Sequence, residues 1–315
     1  MKFSIITFLS ILIISNFSFG QSQKLTFQTE NGKIEYEKTQ GRFHGLYTSY
    51  YLNGKKKAEG MFENNYRTGV WTIWDENGKE ILKKEYFSPF VTNLADAVSV
   101  KEQTYEKNKE GVIPYYPFEQ KNVVWSKRIW RTIDKENNPL LFGENSMFNI
   151  FFNLGVNGDI SIYDPADDEF GSKLDLDRVS KIDPDGKRIV GYKIKEENFY
   201  DSERQVMETR IIGICPVAKI NKKGKTEDLF WVYLPEVRKY LGSPKLTNSV
   251  LPEKITSIDD LLFYRYFSGQ ITQVSNTMGN TIAELIEDEE EQLKESEKID
   301  LATIEAEHKL WLMPK

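Results

Sequence analysis

One cysteine, two histidines and no surplus of positive charge set the first limits on this sequence of 315 residues. With Cys215 alone, no internal disulfide framework exists, so an apolar core must hold the fold; the length permits one, in about two domains. Cys215 ends an apolar run, IIGIC at 211–215, and reads as a buried, inert thiol rather than a nucleophile. His44 and His308 stand far apart, and neither has Cys or carboxylate neighbours at metal-ligand spacing. Both read as packing or surface residues, and no metal or other cofactor is expected. Lys and Arg number 42 against 48 Asp and Glu, a formal net charge of −6. No cation excess is available to neutralise a phosphate backbone, which argues against a nucleic-acid partner. A Gly-rich phosphate loop, a serine nucleophile elbow and a Cys/His pair are also missing. No catalytic residue and no small-molecule substrate are assigned, and the chain is expected not to be an enzyme.

Carboxylates gather in three places. Asp183-Pro184-Asp185-Gly186 looks like a calcium loop but lacks the later ligand spacing and the closing Glu, so a β-turn is expected. Asp164, Asp167, Asp168 and Glu169 read as a solvated acidic loop, with loose cation binding or acid/base work by paired carboxylates as the alternatives. The run 287–291 reads as a solvated helix face.

Long apolar runs are scarce too. One occupies 3–14, after Lys2 and before the small residues Ser18 and Gly20. It is short for a span of roughly 20 residues, and polar Gln21 and Ser22 follow at once. Residues 1–20 are therefore expected to be a cleaved signal peptide that sends the chain to the periplasm. With no Cys at the cleavage site, the chain is not itself a lipoprotein.

What the sequence does contain begins with a repeat. Residues 45–55, GLYTSYYLNGK, align with 69–79, GVWTIWDENGK, at an offset of 24. Each unit offers an aromatic strand, an Asn-Gly turn expected to be type I′, and a second strand. Hairpins at a fixed period stack into a twisted antiparallel sheet, assigned here to 21–87. These residues resemble variant MORN repeats, which implies a binding platform, with Tyr47, Tyr50, Trp71 and Trp74 as its aromatic residues; a plain β-meander is the alternative. Residues 88–120, with their breakers, read as a linker with short structured pieces; the Pro114-Tyr115-Tyr116-Pro117 run is expected to pack back on its own chain, with docking on a partner as the alternative.

A second unit is assigned to 121–315, and the whole chain to the α+β class. Ile129 and Ile133, flanked by Trp125 and Trp130, suggest an amphipathic helix over 122–134. A short helix is expected over 145–154, and strands over 158–163, 186–195, 205–214 and 229–234. A helix opens at Thr256 and Ser257 and keeps helical spacing through Ile271 and Val274. The end, 280–312, reads as one long acidic helix with a thin apolar stripe: Ile282, Leu285, Ile286, Leu293, Ile304 and Trp311.

Six segments of this second unit carry a further resemblance, in order: 124–134 (VWSKRIWRTID), 164–170 (DPADDEF), 211–216 (IIGICP), 229–238 (LFWVYLPEVR), 258–268 (IDDLLFYRYFS) and 307–311 (EHKLW). They resemble the gliding motility protein N family (GldN/PorN) of the type IX secretion system; the N-terminal repeat lies outside that pattern, and the loop 221–224 is short for it. The resemblance implies a non-enzymatic periplasmic subunit, peripheral to the outer membrane, that forms a ring with an outer-membrane lipoprotein partner. Trp125, Trp130, Phe230, Trp231, Arg238 and Trp311 are then expected as core anchors or partner contacts, the two roles being left undivided. The acidic helix is expected to be held at its ends and to form a contact between subunits. The alternative function is a free exported repeat module, immunity-like or scaffolding, with no part in secretion.

Overall fold

The computed structural model describes residues 22–90, 105–143, 146–182, 188–220, 225–243, 245–246 and 251–313. The expected signal peptide, the Asp183–Gly186 turn and the loop at 221–224 lie outside the described residues. Two antiparallel sheets with helices give the α+β architecture that the element order suggests.

The first sheet is a meander of β1 (Gln23–Thr29), β2 (Gly32–Thr39), β3 (Arg42–Tyr51), β4 (Lys56–Glu63), β5 (Tyr66–Trp74) and β6 (Glu80–Tyr86), paired in sequence order. The repeat sets its metre: β2, β4 and β6 open at residues 32, 56 and 80. Consecutive loops dock on each other, Asn53 donating to the Glu76 carbonyl at 2.9 Å and the Tyr51 hydroxyl to the Trp74 carbonyl at 2.7 Å. The Asn-Gly turns are not type I′. Only Gly54 and Gly78 take positive φ there, 79° and 83°, while Asn53 and Asn77 do not. Type I′ conformations, with both central residues at positive φ, occur at the other end of the hairpins, at Gln40-Gly41 and Asn64-Asn65.

Strand alternation divides the four platform aromatics. Positions 47 and 50, like 71 and 74, are an odd number of residues apart and so face opposite ways. Tyr47 and Trp71 are fully buried on the inner face, with ring centroids 5.6 Å apart. Tyr50 and Trp74 are half-buried on the outer face, with Lys33 and Lys56 lying over their rings. Gly60 makes the inner packing possible: a Cβ there would sit 2.1 Å from the Trp71 indole. Gly60→Ala should therefore displace Trp71 and lower stability by ~1–3 kcal/mol, the usual range for overpacking, read as a shift in the urea midpoint.

The second sheet has the order β10-β9-β8-β7-β12, with β11 also on β9. Its strands are β7 (Val123–Asp134), β8 (Ile189–Asp201), β9 (Val206–Lys219), β10 (Thr226–Asp228), β11 (Val232–Tyr233) and β12 (Gln270–Val274). Helices α1 (Met147–Asn157), α2 (Leu176–Ser180), α3 (Leu234–Leu241) and α4 (Ile258–Phe263) belong to the same core, where Phe148, Phe151, Val237 and Leu261 meet Ile133, Tyr192 and Ile214.

Four expectations change here. The helix expected over 122–134 is strand β7. A spacing of four, as between Trp125, Ile129 and Ile133, is a whole number of strand periods as well as about one helical turn, and the β-branched and aromatic content decides for the strand. Ile271 and Val274 likewise belong to β12 rather than to a continued helix. The strand expected over 158–163 reduces to an isolated bridge at Tyr163. The long terminal helix is two: α5 (Ile282–Leu285), opened by a Thr281/Glu284 capping box, and α6 (Glu289–Trp311), with Ile286 extended between them.

Residues 105–118 pack on the second sheet's unit. Tyr115 stacks on Phe263 with centroids 5.6 Å apart, and Ile113 is buried.

Candidate interaction site at the helix between the sheets

The site that organises the molecule is α6, which crosses the inner face of the first sheet and is covered on its other side by the second. Its buried residues, Ser296, Ile299, Leu301, Ile304, Glu307, His308 and Trp311, point in more than one direction around the helix. Leu301, Ile304 and Trp311 join Tyr47, Trp71 and Tyr200 in one cluster, whereas Ile299 joins Ile129, Ile271 and Ile282 in another. The apolar stripe looked too thin for a buried helix because α6 also covers charge: Glu307 is buried, Glu297, Asp300 and Glu305 are half-buried, and each is met by an opposite charge on a sheet.

Toward the first sheet, Glu297 pairs with Lys38 at 2.6 Å and Glu307 with Arg67 at 2.5 Å. Glu305 pairs with Lys57 and accepts the Tyr47 hydroxyl at 2.8 Å. His308 sits in the same nest, Nδ1 facing Glu305 at 3.3 Å and its ring against Trp71 and Trp311 at 5.4 and 4.9 Å. Burial pushes the His308 imidazole below its ordinary pKa, so it is neutral at pH 7. Burial alone would raise the Glu305 carboxyl; the His308 hydrogen bond and the Lys57 ammonium outweigh it and hold it far below the carboxylate range.

Toward the second sheet, Asp300 holds Arg131 of β7 through two hydrogen bonds of 2.7 and 3.2 Å. Arg131 also reaches Glu196 at 3.5 Å and the Gly269 carbonyl at 2.8 Å, and Glu196 binds Arg265 at 2.6 Å. Burial disfavours the charged forms of Arg131 and Asp300, yet their mutual attraction prevails: the guanidinium is raised and the carboxyl lowered.

The anchors expected from sequence fall mainly in the interior. Trp130, Phe230, Trp231, Arg238 and Trp311 are buried, and Trp125 is half-buried beside the Tyr200 and Trp311 cluster. Arg238 is held by Asp259 at 2.7 and 2.8 Å and by the Ile113 carbonyl at 2.8 Å. Cys215 is buried beside Trp130, Tyr163 and Trp231, and burial pushes its thiol up, away from reactivity. The acidic loop at 164–170 is clamped rather than freely solvated. Lys195, almost wholly buried, donates to the Asp168 carbonyl at 2.6 Å and to Glu169 at 2.7 Å, and the Trp130 indole donates to Asp168 at 2.5 Å. Among the described residues, no three His, Cys, Asp or Glu side chains gather as metal ligands.

Arg131, Lys195, Glu305 and Asp300 were not singled out as a site from sequence. Lys195 carries no local signal: only the fold shows that its strand is covered on both faces, where Ile194 and Lys195 are alike buried. A cleft of about 1010 Å³ opens at the junction, walled by aromatic rings such as Tyr66, Tyr105 and Phe263. Arg131, Asp300 and Glu307 also line it, but these charges are already matched by the pairs above. No described helix is long and apolar enough to cross a membrane.

The fold and this junction define a two-sheet α+β protein strapped together by its own C-terminal helix. Residues 118–312 match the family model described as gliding motility associated protein GldN, and a match over well over half of the chain makes it a member of that family. Membership ties it to gliding motility and the associated secretion system, whose components work through contacts with other proteins of the cell envelope. No curated protein matches the chain.

Proposed function

We propose that this protein is a periplasmic structural subunit of the type IX secretion and gliding machinery, exported by a cleaved signal peptide and peripheral to the outer membrane. In this reading it associates with an outer-membrane lipoprotein and with further copies of itself in a ring-like assembly, and it performs no catalysis. The family match carries the proposal, since 118–312 spans the second sheet and the whole of α6. Residues 21–87 then form a MORN-like unit added to the family's own. Because the sheet-facing sides of α6 are occupied within the chain, its role is that of a brace, and the contacts between subunits use other surfaces. Crosslinking in the native organism should join the protein to an envelope lipoprotein, in particles far larger than the 36.7 kDa chain. Recovery of the monomer alone, with no envelope partner, would reject the reading.

The outer face of the first sheet favours a second reading, a free exported binding module. Leu46 and Met61 oppose each other there and are exposed, as is Val70 on the next strand. Deleting the repeat sheet cannot separate the two readings, because it would strip the cover from α6. The surface variant Leu46→Glu/Met61→Glu/Val70→Glu can: assembly persists under the first reading, and all binding disappears under the second.

A further inference from the structure

β1 is an open sheet edge. Among the described residues it pairs on one side only, with β2, in an unbroken register from Gln23↔Lys38 to Thr29↔Gly32. The devices that usually blunt such an edge are missing: QKLTFQT has no proline, no bulge and one charge, Lys24. The opposite edge, β6, is guarded by Glu80, Lys83, Lys84 and Glu85. An unpaired row of backbone N–H and C=O groups is a template for another strand.

The path of α6 adds an independent observation. Along the helix, Glu297 reaches Lys38 on β2, Glu305 reaches Tyr47 on β3, and Trp311 meets Tyr86 on β6. From Glu297 to Trp311 the helix rises about 21 Å, close to the roughly 19 Å of strand spacings from β2 to β6, so it runs nearly perpendicular to the strands. Two more turns precede Glu297 and carry the helix past β1. Leu293 lies four residues before Glu297, on the same face, and is 54% exposed. Leu25 and Phe27 of β1, paired with the buried Tyr36 and Ile34, are only partly buried at the rim of the same cluster. The rim of this shelf is acidic, with Glu287, Asp288, Glu289, Glu290 and Glu291 all exposed.

We infer that β1 and the first turns of α6 form a docking groove for an extended segment of a partner protein, which adds to the first sheet as a seventh strand. That segment alternates apolar side chains, which extend the apolar rim of Leu25 and Phe27 under the exposed Leu293, with Lys or Arg that meet the acidic rim. A second copy of this chain fits less well, because pairing β1 with β1 brings two acidic helix starts together. The inference does not depend on the ring assembly, since it concerns binding to the isolated chain.

The probe is a fluorescent peptide of about eight residues that alternates Lys and Val, titrated into the purified full chain by anisotropy. Saturable binding is expected, weakening as salt rises toward physiological strength. Thr26→Pro, at the middle of the edge, and Leu293→Ser, on exposed helix surface, should each lower affinity by about tenfold or more. Glu289→Lys/Glu290→Lys/Glu291→Lys should transfer the preference to a Glu/Val peptide. Circular dichroism and the thermal midpoint report whether each variant is folded; if Thr26→Pro disturbs β1 itself, Leu293→Ser and the charge reversal decide. No binding of the Lys/Val peptide, equal binding of the Glu/Val peptide to the parent chain, or undiminished binding to Leu293→Ser would each overturn the inference.

Discussion

Asp300→Ala should destabilise the protein by ~3–5 kcal/mol, the range for removing one partner of a buried ion pair. Asp300 supplies the two shortest hydrogen bonds that Arg131 makes to a carboxylate, and Arg131 is buried between β7 and α6. Without Asp300, the guanidinium groups of Arg131 and Arg265 share the single carboxylate of Glu196. The loss therefore comes mainly from a stranded charge rather than from the missing pair. Replacing both partners by apolar side chains of similar volume, Arg131→Met/Asp300→Leu, should restore much of the stability, because neither charge is then left unpaired. Urea titrations of the parent, the two single variants and the double variant would measure this. A double variant no more stable than Asp300→Ala would mean that the pair's geometry, not its charge balance, holds the helix. Truncation before α6 should be more damaging still, since it would uncover Trp71, Tyr47 and Ile129 together.

The second large effect is acid lability, in two stages. His308, Glu305 and Asp300 all have folded pKa values below their ordinary ones. Each therefore contributes stability that is complete above its unfolded pKa and disappears as pH falls toward the folded one. For His308 the decline begins below its ordinary value of 6.5, because the unfolded imidazole takes up a proton that the buried one resists. For Glu305 and Asp300 it begins below 4.5 and 3.8, because the unfolded carboxyls take up protons that the folded ones, held by Lys57 and Arg131, resist. Asp259 acts differently: burial raises its carboxyl against the pull of Arg238, so this pair adds no acid lability of its own. The thermal midpoint measured from pH 8 to pH 3 should fall once below about 6.5 and more steeply below about 4.5. His308→Gln should flatten the first decline and keep the second. A midpoint flat from pH 7 to pH 5 would show that the nest around His308 opens to solvent.

Much of the molecule was legible in the residues alone. The period of the repeat pointed to stacked antiparallel hairpins and placed Asn53-Gly54 and Asn77-Gly78 in turns, because a turn and a period are local properties. Ser257 marked a helix start by side-chain capping, which is equally local. The family emerged from six short segments in order, and the match over 118–312 agrees with them. What could not be read locally depended on which surface covers which. β7 looked helical because a spacing of four fits both periods, and only pairing with β8 and β12 selects the strand. The terminal helix looked solvated because Glu297, Asp300, Glu305 and Glu307 count as polar in any one-dimensional pattern. Glu307 becomes an interior residue and the other three half-buried ones once Arg67, Lys38, Arg131 and Lys57 arrive from strands remote in sequence. Periodicity reports burial only when what is buried is apolar. A helix that buries charge against opposite charge on two sheets is therefore decided by tertiary structure alone.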